Sequence, residues 1–229
     1  MELIDLEKLI GLSPRFLEQL DKNKDLFMRF DSFERIEQDD DIHFLIEQIN
    51  DYCNNNLILG YHYTRALEND ILKNGLLIRT GSEIRNEFIK NHHSIFSKSE
   101  IDEILNAWEC SFDKQDEEVR DNRIWFNFTK DALKNGGAEL LLKYYGGEQV
   151  YAPIYQINGI GSKLSKIGVP LIVKCRLKPQ EITTFSEYSW GKIAVSSYHR
   201  LQNLEALVFD QDGYQTCSVS STDIKLIKI

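Results

Sequence analysis

The sequence predicts an α+β protein in which a helical N-terminal region is followed by a domain built on a β-sheet. Residues 1–56 carry apolar side chains at helical spacings, whereas residues 57–63 form a short apolar and aromatic run that is typical of a buried strand. Residues 152–229 contain several further short runs of β type. We therefore predict a helical appendage at 1–56 and a second domain at 57–229, with an insertion at 79–123.

The N-terminal region reads as structural. Ser13 and Pro14 are typical of a helix start. The aspartates at 39–41 are interpreted as negative charge at the start of the next helix rather than as a cation site. That helix is predicted from the spacing of Ile42, Leu45, Ile46 and Ile49.

The strand at 57–63 ends in polar side chains, and a short helix follows it. Leu67 and Ile71 lie on one face of that helix, and Gly75 is a plausible C-terminal stop. Ligands are often bound where a strand turns into a helix. The candidate ligand residues at this corner are Tyr61, His62, Tyr63, Thr64 and Arg65.

The segment 79–123 is rich in charge and is predicted to be a mobile, substrate-facing insertion rather than core. It contains one amphipathic helix, marked by Ile104 and Trp108, and a polar loop at 110–123. His92 and His93 are adjacent, so they cannot both face one metal ion from a helix. The sequence therefore offers no metal site here.

Two candidate segments follow. Residues 124–129 alternate in polarity as a strand with two different faces, and Thr129 is a predicted helix cap. In the second segment, two glycines either allow a backbone to approach a ligand or cap a helix, and the next residue is a carboxylate flanked by tyrosines. The candidate residues of the two segments are Trp125, Asn127, Thr129, Tyr145, Gly146, Gly147 and Glu148.

The C-terminal region predicts three strands and one turn. The strands are expected at Val169–Leu177, Glu205–Phe209 and Ile224–Ile229. Asp212-Gly213 is typical of a turn. The strand that begins with Glu205 places a carboxylate at the head of a late strand.

Composition restricts the class of protein. The formal charge of −9 argues against broad binding to nucleic-acid backbones, but it is compatible with a basic inhibitor or antitoxin protein. No apolar stretch reaches membrane-spanning length, and no signal peptide is expected. The four cysteines form no Cys-x-x-Cys pair, so we expect reduced thiols and a cytoplasmic location.

The order of these motifs resembles the ADP-ribosyltransferase-like superfamily. A His-x-Thr strand followed by a helix ending Ile-Leu-x-x-Gly-Leu is similar to the opening of its RNA 2′-phosphotransferases and of its bacterial toxins that modify DNA. The aromatic-polar strand at 124–129 and the glutamate at 205 then follow in the family's order. The resemblance implies a split mixed or antiparallel sheet, NAD as substrate and no metal.

The resemblance also implies roles for individual residues. Cleavage of the nicotinamide–ribose bond builds positive charge on the sugar, which a carboxylate stabilises. Glu205 is assigned that catalytic role by its place in the chain, and Glu148 a ligand-contacting role; the reverse assignment stays open. His62 is expected to hold a ribose, Arg65 the pyrophosphate, and the aromatic residues the nicotinamide.

Simpler explanations remain for several of these residues. His62 fits a buried core histidine, and Trp125 fits a core aromatic residue. Arg65 can pair with Glu68 or Asp70 on the helix that follows it.

The implied function is mono-ADP-ribosylation of a protein or nucleic acid by a bacterial toxin or phage-defence effector. An NAD glycohydrolase, an RNA 2′-phosphotransferase and an inactive binding module of the same fold are the alternatives. The first strand lacks an arginine, and no Gln-x-Glu or Glu-x-Glu precedes the last strand. Both departures from the arginine-directed toxins argue against modification of arginine.

Overall fold

The computed structural model describes residues 1–112, 119–209 and 211–229. Within these ranges the chain forms eleven α-helices and seven β-strands, which confirms the predicted α+β class. No helix in the described ranges is both long enough and apolar enough to cross a membrane.

The strands form one sheet. They are β1 (Leu3–Ile4), β2 (Leu57–Ala66), β3 (Ile124–Asn127), β4 (Val169–Leu177), β5 (Ile182–Thr183), β6 (Asp212–Gln215) and β7 (Ile224–Lys228). Their order is β5-β6-β3-β2-β4-β7, and β1 lies off this path and pairs with β2. The pair β1–β2 is parallel, whereas β2–β3 and β5–β6 are antiparallel.

The helices occupy the connections. They are α1 (Pro14–Lys22), α2 (Lys24–Arg29), α3 (Phe33–Glu37), α4 (Asp40–Asn54), α5 (Glu68–Asn74), α6 (Gly81–His92), α7 (Lys98–Ser111), α8 (Glu139–Lys143), α9 (Glu148–Tyr151), α10 (Ile160–Leu164) and α11 (Ser189–Gln202). Short 3-10 turns lie at His93–Ile95, Asp131–Leu133, Pro179–Glu181 and Ser221–Asp223.

The chain divides into two compact units. Unit 1 comprises Met1–Tyr61, Trp125–Ala132 and Cys175–Gln215. Unit 2 comprises His62–Ile124, Leu133–Lys174 and Thr216–Ile229. Strand β1 of the N-terminal region pairs with β2, and the boundary between residues 56 and 57 stays a prediction.

Unit 1 is built around the packing of α4 against α11. Gly191 lies so close to the Ile46 carbonyl that a Cβ at this position would collide with it. The side chain of Asp39 accepts hydrogen bonds from the amides of Asp41 and Ile42, at 3.1 and 3.3 Å, and so caps α4. This confirms that the three aspartates begin a helix.

Unit 2 has a separate apolar core, to which the segment 79–123 contributes. Phe88 on α6 and Trp108 on α7 are buried together with Val150 and Ile154. The Trp108 indole also donates a buried hydrogen bond of 2.9 Å to the Val150 carbonyl. The prediction that this segment is an insertion outside the core is therefore wrong for α6 and α7, whose apolar faces pack inward. Residues 113–118 of the predicted polar loop lie outside the described residues.

The C-terminal region departs from prediction at two places. Residues 206–209 belong to no strand, and Leu204 and Glu205 form a turn, so the predicted strand at 205–209 is wrong. Asp212 and Gly213 begin β6 rather than forming a turn. The strands at Val169–Leu177 and Ile224–Lys228 are confirmed.

Candidate functional site

The five candidate residues at the end of β2 do not share one face. Side chains alternate along a strand, so His62 and Thr64 point to the side opposite Tyr61, Tyr63 and Arg65. Tyr61, Tyr63 and Thr64 are buried, whereas His62 and Arg65 are half-buried. A single ligand lying on one face of β2 therefore contacts one of these two groups and not the other.

In unit 1, the candidate residue Tyr61 on β2 lies beside the candidate segment 124–129, which contains β3. Tyr61 is the register partner of Asn127 on β3, and directly opposed residues share a face of the sheet. Trp125 lies two residues before Asn127 and so points to the same side. Tyr61, Asn127 and Trp125 therefore lie on one face of the sheet.

Thr129, the last candidate of this segment, caps a short turn. Its hydroxyl accepts a hydrogen bond of 3.3 Å from the amide of Asp131, at the start of the 3-10 turn Asp131–Leu133. The side chain is almost fully buried, with 3% exposed. The capping prediction is correct in kind, although a single turn takes the place of a helix.

A carboxylate–ammonium pair that the sequence did not predict lies beside Tyr61. Glu7 accepts a hydrogen bond of 3.4 Å from the amide of Lys130 and lies 4.0 Å from its ammonium group. That ammonium group is 5.7 Å from the centre of the Tyr61 ring. The pairing of β1 with β2 brings Glu7 here, and no local pattern indicates this long-range contact.

Trp125 belongs to a partly exposed aromatic cluster rather than to the core. Its ring is nearly parallel to Phe185, at an interplanar angle of 14° and a centroid distance of 6.0 Å. Tyr214 lies 5.0 Å from Trp125 at an angle of 47°. Phe185 is 65% exposed, so one side of the cluster is open to solvent.

In unit 2, Arg65 is bound to backbone carbonyls. Its guanidinium donates to Ile167, Gly168 and Leu142, at 2.9, 3.2 and 3.4 Å. Neither Glu68 nor Asp70 is among its hydrogen-bond partners, and Glu68 instead pairs with Lys228. Burial lowers the pKa of Arg65, but an arginine remains charged at physiological pH.

The glycine-rich segment also meets β2 at this arginine. Arg65 and Tyr145 form a parallel bridge, and the Gly146 amide donates to the Arg65 carbonyl at 3.3 Å. Gly146 and Gly147 have φ values of 90° and 70°, which favour glycine. Gly147 is the N-cap of α9, so both glycines lie at a helix start and not at the predicted helix end. Glu148 is the first residue of α9, is exposed, and pairs with Arg120 at 3.2 Å.

His92 is a neighbour of Tyr145 that the sequence did not predict. The two rings lie edge to face at 4.8 Å, and Phe88 lies 6.1 Å from Tyr145. His92 is 8% exposed, and its Nε2 is buried without a hydrogen-bond partner in the described chain. Burial lowers the pKa of His92 and raises that of Tyr145, with Asp70 adding to the Tyr145 shift, so both rings are neutral at physiological pH.

Glu205 does not head a strand. It is exposed in the turn after α11, and its backbone amide donates to the Asn203 side-chain oxygen at 3.0 Å. The late strand at whose head Glu205 was predicted to lie is therefore not found in the described part of the chain.

Other features do not coincide with these residues. An open depression of about 330 Å³ in unit 1 is lined by Arg15, Gln48, Asp51, Tyr52 and Asn55, none of which is a candidate. In the described ranges no group of three or more His, Cys, Asp or Glu residues is arranged to hold a metal ion. Comparisons of the chain with protein-family models, with curated proteins and with solved structures found no match.

Proposed function

We propose that this chain is a mono-ADP-ribosyltransferase that uses NAD to modify a macromolecular acceptor, as a bacterial toxin or defence effector does. One observation supports the proposal most. Within unit 2, the part of β2 that carries the His-x-Thr motif is bonded to the glycine-rich segment, because Arg65 bridges to Tyr145. Two candidate segments that are far apart in the sequence thus adjoin within one unit.

The reaction needs a carboxylate, and Glu148 replaces Glu205 in that role. When the nicotinamide–ribose bond breaks, its electron pair goes to nicotinamide and the sugar becomes positively charged. A carboxylate stabilises this charge before the acceptor attacks the ribose carbon. Glu148 follows the segment that is bonded to Arg65, and Arg120 contacts its carboxylate. Glu205 lies in an exposed turn without such support.

The remaining candidates receive narrower roles. Trp125 and Tyr145 offer rings for stacking, and Asn127 offers an amide that can hydrogen-bond a ligand. Arg65 uses three of its five donors on backbone carbonyls, so its first role is to hold the local backbone. Contact between His62 and a ribose, a basic inhibitor protein and a cytoplasmic location stay predictions.

NAD labelled in its adenylate phosphate, incubated with the purified protein and a cell lysate, tests the proposal. Label on a macromolecule together with free nicotinamide supports transfer. Free ADP-ribose without labelled macromolecule supports NAD hydrolysis instead. An intact NAD pool, in a protein that circular dichroism shows to be folded, contradicts both enzyme functions.

Two matched variants test the carboxylate. Glu148→Gln keeps the shape of the side chain, and we expect it to lower turnover by about 10²–10⁴-fold, the range for a lost catalytic group. Glu205→Gln is the control, because it makes the same change at an exposed position. Loss of turnover in the Glu205 variant alone would show that the carboxylate is assigned wrongly.

A further inference from the structure

We propose that Trp125 and Phe185 form an aromatic clamp that binds the adenine-type base of a free nucleotide, with Asn127 recognising the edge of the base. The clamp lies entirely within unit 1. It combines three properties that a base site needs: parallel ring faces, an open side, and a polar group at the edge.

The two rings have an orientation that suits a planar guest. Trp125 and Phe185 are only 14° from parallel, whereas Tyr214 is tilted by 47° to Trp125 and by 45° to Phe185. Stacked bases are spaced by about 3.4 Å, so a base between two rings needs them about 7 Å apart. The two rings stack on each other with their centroids 6.0 Å apart, so a base enters between them when one ring moves aside.

Phe185 is the ring that can make this movement. It is 65% exposed and lies in the connection between β5 and α11. This connection is fixed at its end, where the Ser189 hydroxyl donates to Ser186 at 2.6 Å. Rotation of the Phe185 side chain therefore leaves the core of unit 1 in place.

Asn127 provides a hydrogen-bonding group on the same side of the sheet. It lies two residues after Trp125 on β3, and its side chain makes no hydrogen bond to the residues that the structure describes. An asparagine amide can donate and accept together, which matches the adjacent acceptor and donor of adenine. The preference for adenine over a pyrimidine comes from its larger ring system, which stacks more extensively on the two rings.

The charge of the chain favours a free nucleotide over a nucleic acid. At a formal charge of −9 the protein lacks the cationic excess that binding to a polynucleotide backbone requires. NAD contains such a base, and only the identification of NAD as the ligand rests on the proposed function. Binding of AMP, which contains no nicotinamide, tests the clamp independently of any transfer reaction.

The test measures binding of AMP, UMP and an adenine oligonucleotide by calorimetry to the full chain and to three variants. Phe185→Ala should weaken AMP binding about 5- to 150-fold, the range for the loss of one stacked ring. Phe44→Ala is the matched control, because Phe44 is also exposed, at 61%, and lies on α4. It should leave AMP binding unchanged.

Asn127→Ala tests recognition of the base edge. It should weaken AMP binding through loss of the edge contact while the stacking contribution remains. Absence of AMP binding at millimolar concentration, or equal AMP affinity of the parent chain and Phe185→Ala, overturns the clamp. Tighter binding of the oligonucleotide than of AMP overturns the free-nucleotide assignment. If the chain turns over NAD but Phe185→Ala does not change the AMP affinity, the clamp alone is refuted. If Phe185→Ala weakens AMP binding but the chain does not turn over NAD, the transferase alone is refuted.

Discussion

Arg65→Gln separates the backbone-holding role of Arg65 from a role in binding NAD. The substitution removes the charged donors that hold Ile167, Gly168 and Leu142. A hydrogen bond to a charged group contributes about 1.5–3 kcal/mol, and water can solvate some of the released carbonyls because Arg65 is half-buried. We therefore expect a loss of about 2–4 kcal/mol in the free energy of unfolding, rather than the sum of three full contributions.

Urea denaturation and thermal melting measure this loss. For a chain of this size, it corresponds to a decrease of about 5–15 °C in melting temperature. Arg29→Gln is the control, because Arg29 is exposed at the end of α2, and its melting temperature should remain within about 2 °C of the parent. Unchanged stability of Arg65→Gln with lost NAD binding would refute the reasoning, because it would show that the guanidinium serves the ligand and not the backbone.

Three further predictions concern the core, the thiols and the response to pH. Trp108→Phe leaves the Val150 carbonyl without the indole donor and should lower the free energy of unfolding, measured by urea denaturation, by at least about 1–3 kcal/mol. A decrease below about 0.5 kcal/mol would instead support a peripheral insertion. A thiol reagent should label Cys110 and Cys217, which are exposed, and spare the two buried cysteines until the chain unfolds, as mass spectrometry can show. Burial lowers the pKa of His92 below its ordinary value of 6.5, so the unfolded chain binds more protons and the free energy of unfolding should fall as pH decreases through 6.5. His92→Phe should make the free energy of unfolding less dependent on pH in this range. An unchanged slope would contradict the prediction.

Elements with strong local patterns were predictable from the sequence. The apolar run at 57–63 forms most of β2, because a short buried strand is specified by its own residues. Ser97 is the N-cap of helix α7, and its hydroxyl accepts a hydrogen bond of 3.3 Å from the Glu100 amide. The Ser97 amide in turn donates to the Glu100 carboxylate. Such a reciprocal cap involves residues three apart and needs no tertiary contact.

Features that depend on contacts between distant residues were not predictable. Residues 205–209 have a β-type pattern but no ladder, since pairing depends on the rest of the sheet as well as on the run itself. The sequence around His92 gives no sign of its contact with the Tyr145 ring, because Tyr145 lies far along the chain. The pairing of Glu7 with Lys130 was likewise not predictable, because the two residues are far apart in the sequence.

The alternation of side chains along β2 also changes how a local motif should be interpreted. Written as Tyr61-His62-Tyr63-Thr64, adjacent residues near the place where a strand leads into a helix look like one site. In a strand, however, neighbours in sequence point to opposite sides, and residues on paired strands become the true neighbours. Tyr61 thus shares a face of the sheet with Asn127, more than sixty residues away, and not with His62 beside it. A role proposed for any residue of β2 therefore has to take the parity of its position into account.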